Sequence, residues 1–450
     1  MDWTRAERFP LLCRRNYYYE FLHTLPWGVV AGVVEGNLAA VVASRTFHAG
    51  PVLLWIASAT PIAMYITSLV WGALCVGRRK VALMTVCIAG TALFLATVAA
   101  VPGGRYGGWY FAAQMAAAQF FVTGVLTVRS ALWKSNYPTN IRGQATARFQ
   151  MVRAVTGTAA VLAAATVFDR WPDAYRWIYP SLSVCCLVAV AFLWKIRVRG
   201  EQTELRRIHA GGDGPRPVSP WSAANPILLM RQTVRVFRDD PRFARYCSSL
   251  MLVGIGNLLV GTVSIVIVVE KMLTDMGHYP RVYAASTILL DVFPRVVMLG
   301  VLGRMGRWYD RVGVVQFRVS NGVHWALTNV TGVLGALFVV YGDAIGPYAL
   351  VGAVVMFAAR GVTLGLGYAG GSLAYNLGHL HFADPDRAEL YMGIHVTLSG
   401  IRGLAMPGLG MLLWAWIGWP VWLVALLFSV LGVVGYVSLA RDEEARLPRT

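Results

Sequence analysis

Between the apolar runs Val282–Leu302 and Val319–Tyr341 the chain reads Gly306-Arg307-Trp308-Tyr309-Asp310-Arg311-Val312-Gly313. Arg307, Asp310 and Arg311 make this stretch costly to place in hydrocarbon, so it reads as a polar turn joining two membrane-spanning helices. Glycines at 306 and 313 allow the chain to reverse sharply. An Asp projecting from such a turn suits the positive N-terminal end of a neighbouring helix. A charged hairpin of any membrane protein has the same composition, so the sequence on either side must say what the turn serves.

That sequence is strongly apolar. Of the 450 residues, 57% are hydrophobic and only 14% charged, more apolar surface than a soluble domain of this size buries. Apolar runs of about 20 residues, the length a bilayer requires, recur along the chain. Six lie in the first part, at Leu22–Ser44, Val52–Val76, Val81–Val101, Trp109–Leu132, Phe149–Phe168 and Tyr175–Trp194. Six more follow, at Tyr246–Val269, the two runs flanking the turn, Pro347–Gly371, Tyr391–Ile417 and Val421–Leu439. The fold class expected is therefore an all-α polytopic membrane protein of twelve transmembrane helices in two six-helix halves. Its divisions are 1–195 for the first half with its tail, 196–245 for a basic linker, and 246–450 for the second half.

A net charge of +18 is compatible with nucleic-acid binding, but the placement of the charges points to membrane topology instead. With both termini and the linker in the cytoplasm, the outer loops hold six Lys or Arg: Arg45, Arg105, Arg170, Arg176, Lys271 and Arg281. Five lie within spans, leaving 29 of the 40 on the cytoplasmic side. Nucleic acid is not an expected partner; anionic lipid is. The start of the chain, with Arg5, Arg8, Arg14, Arg15 and then Tyr17-Tyr18-Tyr19, reads as a cytoplasmic tail meeting the interfacial aromatic belt rather than a cleaved signal. Late in the linker, Ile227, Met230, Val234 and Phe237 alternate at helical spacing with Arg231, Arg235 and Arg238. This is the pattern of a basic amphipathic helix on the inner membrane surface. The glycine-rich tract at 211–215 has neither a preceding strand nor a following Lys-Ser/Thr, so it is not read as a phosphate loop.

Gly306, Asp310, Arg311 and Gly313 fall on the G-x-x-x-D-R-x-G pattern between the second and third helices of each half of a major facilitator transporter, which the chain resembles. Tyr137-Pro138-Thr139-Asn140-Ile141-Arg142-Gly143 resembles that family's P-x-x-x-R-G loop after the fourth helix. Asp384-Pro385-Asp386-Arg387 stands in the matching place after the tenth. The halves also resemble each other, as at Phe111-Ala112-Ala113-Gln114 and Phe357-Ala358-Ala359-Arg360. One departure is clear: Gly72 to Gly77 is two residues short, with Cys75-Val76 where Asp-Arg stands in the family. The resemblance implies alternating access around a midplane site between the halves. It also implies gating by Gly306, Asp310, Arg311 and Gly313 together with Arg142 and Gly143.

Charged groups inside spans mark the candidate site, since each costs at least about 2.5–3.5 kcal/mol near the bilayer centre unless partnered or wet. Glu35, with Asn37 beside it, is the candidate proton carrier; a structural bond to another helix is the alternative. Gly28, Gly32 and Gly36 on the same span suit close helix packing. Asp291 and Arg295 are four apart on one helix face and either pair with each other or bind solute. Arg360 and Arg402 have no acidic residue at helical spacing and call for an anion. His395 and Ser399 share one stripe with Arg402. Arg153 and His324, near span ends, are expected to snorkel.

The reading that follows is a proton-coupled secondary transporter of a small solute, anionic or carboxylate-bearing, in the inner or plasma membrane. An exporter of drugs or organic cations is one alternative, and a non-transporting sensor or assembly factor with a transporter fold is another. No Ser/His/Asp set, Cys/His pair or metal-ligand spacing appears on the loops. Enzyme chemistry, a metal, a cofactor and disulfides are therefore not expected, and a monomer suffices.

Overall fold

The computed structural model describes residues 10–75, 77–209, 226–383 and 388–446. The glycine-rich tract at 211–215, the loop at 384–387 and the arginines at 5 and 8 lie outside the described residues. Among those described, every regular element is helical. Ten helices are long and apolar enough to cross a membrane, and a bent pair makes an eleventh. The apolar segment Pro51–Thr67 is shorter.

The chain gathers into two compact units. The first takes the chain up to Ala49 and from Met64 into the linker; the second takes Gly50–Ala63 and everything from Pro226 onward. In the first unit lie α1 (Leu11–Glu35), α2 (Leu38–Arg45), α4 (Ser68–Cys75), α5 (Lys80–Thr97), α6 (Arg105–Asn136), α7 (Thr139–Arg170), α8 (Tyr175–Leu193) and α9 (Glu201–His209). The second holds α3 (Pro51–Ala63), α10 (Pro226–Asp239), α11 (Pro241–Ile265), α12 (Val282–Thr287), α13 (Phe293–Val340), α14 (Ala349–Leu377), α15 (Ala388–Ile417) and α16 (Val421–Arg446).

Within the first unit α1 packs against α7 and α8, and α5 against α6 and α8. Within the second, α11 packs in the same way on α15 and α16, and α13 on α14 and α16. The glycines of α1 explain its close approach to α7. A side chain added at Gly32 would run into the backbone of Gly157, and one at Gly28 into Thr156 and the Arg153 backbone. Large aromatic side chains fill the interior of each unit, with Trp27, Phe111 and Tyr179 fully buried in the first and Trp422, Tyr246 and Tyr436 in the second.

Three expectations about the spans need correcting. The run Leu22–Ser44 is not one helix: α1 stops at Glu35, Gly36 is extended, and α2 resumes at a 44° bend. Gln119 from α6 donates to the Val34 carbonyl at 2.7 Å, satisfying an acceptor near the break. The run Val52–Val76 is broken too, by a 3₁₀ turn at Met64–Thr67 in which the Thr67 hydroxyl donates to the Met64 carbonyl. Finally, Gly306–Gly313 is not an eight-residue turn. Helix α13 continues to Val312 and reverses at Gly313 alone, at φ +75°, where only glycine avoids strain. Trp308 and Tyr309 on that last turn pack edge-on against Phe317 just beyond the reversal.

Candidate functional site

In the first unit the break in α1 leaves Glu35 at the C-terminal end of a helix, where the dipole disfavours a carboxylate. Arg153 of α7 reaches it, and the two form an ion pair with both side chains 19% exposed. This is a bond to another helix, with the partner 118 residues away, and Arg153 is held by Glu35 where the sequence reading expected it to snorkel. The other carboxylate oxygen, Oε1, has no hydrogen-bond partner among the described residues. Asn37 follows the break and opens α2 without a side-chain cap.

About three to four turns earlier on α1 and across on α6 is a polar group that the sequence reading missed. Glu20, 2% exposed, accepts hydrogen bonds from Trp133 Nε1 and from the Tyr137 hydroxyl at 3.0 Å. His23 contacts the Ala189 carbonyl through Nδ1 and Arg129 Nη2 through Nε2, each at 2.9 Å. A carbonyl only accepts and a guanidinium only donates. Nδ1 therefore carries the proton, Nε2 is the acceptor, and the ring is uncharged. The Arg129 guanidinium also lies 5.9 Å from the Trp27 ring centroid. Tyr17, Glu20, His23, Thr24 and Trp27 follow helical spacing, as do Arg129, Trp133 and Tyr137, and that periodicity is the signal that marks them.

In the second unit the predicted residues form two groups. One centres on π-helical turns, Val266–Met276 and Ile288–Val292, of a kind that recurs at functional sites. Asp291 lies in the second turn and its Oδ1 pairs with Arg295 Nη2 at 2.9 Å, so these two residues neutralise one another. The Oδ2 atom is left buried without a hydrogen-bond partner among the described residues. Tyr368 of α14 stands within electrostatic reach of Asp291, Arg295 and Arg360. Arg360, 8% exposed, makes no ion pair among the described residues. Its guanidinium carbon lies 5.2 Å from the Trp422 ring centroid, and its Nε has no hydrogen-bond partner among the described residues. A ring face attracts a cation by about 0.5–2 kcal/mol but cannot neutralise it.

The other group runs along α15. Ser399 donates to the His395 carbonyl at 3.0 Å, and Tyr375 of α14 sets its ring 4.5 Å from that of His395. Arg402 is not without a partner, as expected, but donates from Nη1 to the Leu250 carbonyl of α11 at 2.7 Å. That bond leaves its charge uncompensated. Arg318, which the sequence reading passed over, joins this group from α13 and donates through Nε to the Tyr246 hydroxyl at 2.9 Å. His379, just beyond the end of its span, is buried, and loss of hydration pushes its imidazole down to about 4.

His379 makes a pH prediction. An unfolded histidine takes up its proton near pH 6.5, whereas the folded one resists until about 4, so the stability that this residue contributes is present above 6.5 and lost as pH falls toward 4. His379→Gln is expected to flatten the fall in melting temperature between pH 7 and pH 5, measured in detergent. An unchanged slope would remove His379 as its source.

Of the gating residues, Gly313 makes the reversal, Gly306 lies within helix α13, Arg311 is exposed, and Gly143 is near the start of α7. The side chains of Asp310 and Arg142 lie outside the described residues.

A family profile described as Major Facilitator Superfamily matches residues 24–407. The chain belongs to that superfamily. It is a multi-pass membrane transporter, not an enzyme. Comparison with curated proteins finds no match. Among solved structures, this superfamily member is similar to the peptide transporter POT in complex with alafosfalin, at 12% identity over 95% of this chain and 94% of the other, TM-score 0.65. It is similar to the xylose transporter XylE from E. coli, at 13% identity over 93% and 96%, TM-score 0.63. A third is the nucleoside transporter NupG, at 13% identity over 96% and 99%, TM-score 0.60. At these identities the likeness is one of fold.

Proposed function

We propose that this transporter carries a small organic anion across the cell membrane by alternating access, driven by a proton gradient. The observation that carries the reading is Arg360, a buried guanidinium with no acidic partner among the described residues and only an aromatic face beside it. A guanidinium cannot shed its charge in a protein, so its burial without a counter-ion costs several kcal/mol, roughly, unless an anion arrives. Asp291, already paired with Arg295, cannot serve as that counter-charge. Arg402 adds a second positive charge, and the pair gives the second unit a surplus that a carboxylate-bearing solute would offset. An exported organic cation would need acids where these arginines stand.

Proton coupling falls to Glu35. When protonated it can no longer hold Arg153 by charge, so one proton switches a contact between α1 and α7. We place both termini and the linker in the cytoplasm, with Met230 and Val234 of α10 facing the lipid and Arg231 and Arg235 its anionic headgroups.

The test is uptake into proteoliposomes of radiolabelled organic anions, organic cations and neutral sugars, each with and without an inward proton gradient. Accumulation of an anion that rises with the gradient is expected. Transport confined to cations or sugars overturns the anion assignment, and indifference to the gradient overturns the coupling.

A further inference from the structure

The group on α15 holds more than an isolated arginine. Five helices of the second unit converge there: Tyr246 from α11, Arg318 from α13, Tyr375 from α14, His395, Ser399 and Arg402 from α15, and Tyr436 from α16. Arg402 lies within electrostatic reach of Arg318, Tyr375 and Tyr436, and His395 within reach of both arginines. The rings of Tyr246 and Tyr436 are 5.9 Å apart. Arg318 is 4% exposed, Tyr436 1% and His395 not at all.

What sets this group apart is its surplus of donors. Nη2 of Arg318, Nε of Arg402, the hydroxyl of Tyr436 and both ring nitrogens of His395, of which one carries an N–H, are buried with no hydrogen-bond partner among the described residues. An orphaned buried donor costs about 1–3 kcal/mol, and more when charged. Several in one place, around two guanidiniums that repel each other, are not explained by packing. The acid at this end of α11, Asp240, caps that helix through the Phe243 amide and accepts from Tyr391, so it is already engaged. No residue of the group is ion-paired among the described residues. The missing component is therefore an acceptor with more than one negative charge. It must also offer lone pairs in several directions, because the donors approach from three helices. A planar carboxylate offers them in one plane; a tetrahedral oxyanion offers three oxygens around an axis and matches converging arginines.

We infer that Arg318, His395 and Arg402, with Tyr436, form a binding site for a phosphoryl-type oxyanion. This rests on the anion reading above and narrows it: the solute carries a phosphate or an isosteric group. Arg318 and Arg402 hold its charge, Tyr436 donates to an oxygen, and His395 donates from one ring nitrogen. Arg318 lies five residues beyond the Gly313 reversal, so the site is about 7–8 Å in from that end of the helix. A phospholipid headgroup offers the same chemistry as a soluble phosphate ester, so the test separates the two.

The experiment is a thermal-shift titration of the delipidated, detergent-solubilised protein with sodium phosphate, sodium sulfate and sodium acetate at matched ionic strength. A parallel arm uses short-chain phosphatidylglycerol. Phosphate and sulfate are expected to raise the melting temperature saturably, with acetate at least about tenfold weaker. Arg318→Gln and Arg402→Gln should each weaken phosphate binding by about tenfold, as loss of a charged hydrogen bond does, while Arg281→Gln, at an exposed position, changes it less than about twofold. If either glutamine variant is unstable, Arg318→Lys and His395→Asn replace it, with the same expected direction. Stabilisation by the lipid but not by phosphate, abolished by the same substitutions, supports the site and identifies its occupant as a headgroup. Acetate binding as well as phosphate, sensitive to Arg360→Gln alone, overturns this site and leaves the anion reading standing. No stabilisation by any of the four overturns this site, while the anion reading is decided by the uptake assay.

Discussion

Replacing Glu35 by Gln is expected to leave downhill exchange of solute intact while abolishing accumulation driven by a pH gradient. The amide keeps the shape of a protonated carboxyl and can still accept from Arg153, but it has no charge to gain or lose. The contact between α1 and α7 then no longer responds to protons. Arg153→Ala has a different effect, because it leaves Glu35 unpaired at a helix end whose dipole repels it. Exposed pairs are worth about 0–1 kcal/mol and breaking a buried one costs about 3–5, so this part-exposed pair should cost about 2 kcal/mol. The double variant Glu35→Gln with Arg153→Ala should recover part of that loss, since no lone carboxylate remains. Counterflow and pH-driven uptake in proteoliposomes separate the outcomes. If the Glu35→Gln protein still concentrates solute against its gradient, Glu35 is a structural residue.

The twelve apolar runs were legible because a bilayer imposes a length on every span and leaves few charges inside it. What the runs did not disclose is where they break. Gly36 looks like Gly28 and Gly32 in sequence, yet two of these press against α7 and the third ends a helix. That difference depends on the neighbour, not on the local spacing. Partnerships across the fold were hidden for the same reason: Arg153 finds Glu35 at a separation of 118 residues, and Arg129 finds His23 at 106. Asp291 and Arg295, four apart on one helix, were readable as a pair because α-helical geometry alone brings them together. Arg318 was passed over because arginines at span ends are commonplace. Only its burial against Tyr246 separates it from them.

Arg360→Gln is expected to lower transport of an anionic solute by at least about a hundredfold, the scale of losing a buried charged contact of about 2–5 kcal/mol, while the protein still folds. Stability should hold or rise, because the substitution removes a buried charge that has no counter-ion among the described residues. This combination is the signature of a ligand contact. A structural arginine would instead lose stability and activity together. Arg360→Lys tests the geometry: it keeps the charge but loses the planar fork and the flat stacking on Trp422, so transport should fall roughly tenfold with affinity taking most of the loss. Trp422→Leu should move in the same direction by a smaller factor, since it removes the ring that holds the guanidinium in place. The measurements are initial uptake rates over a range of solute concentrations and melting temperatures for each variant. Transport unchanged in Arg360→Gln would mean that the charge is buried for a purpose other than the solute, and the anion reading would then lose the observation on which it stands.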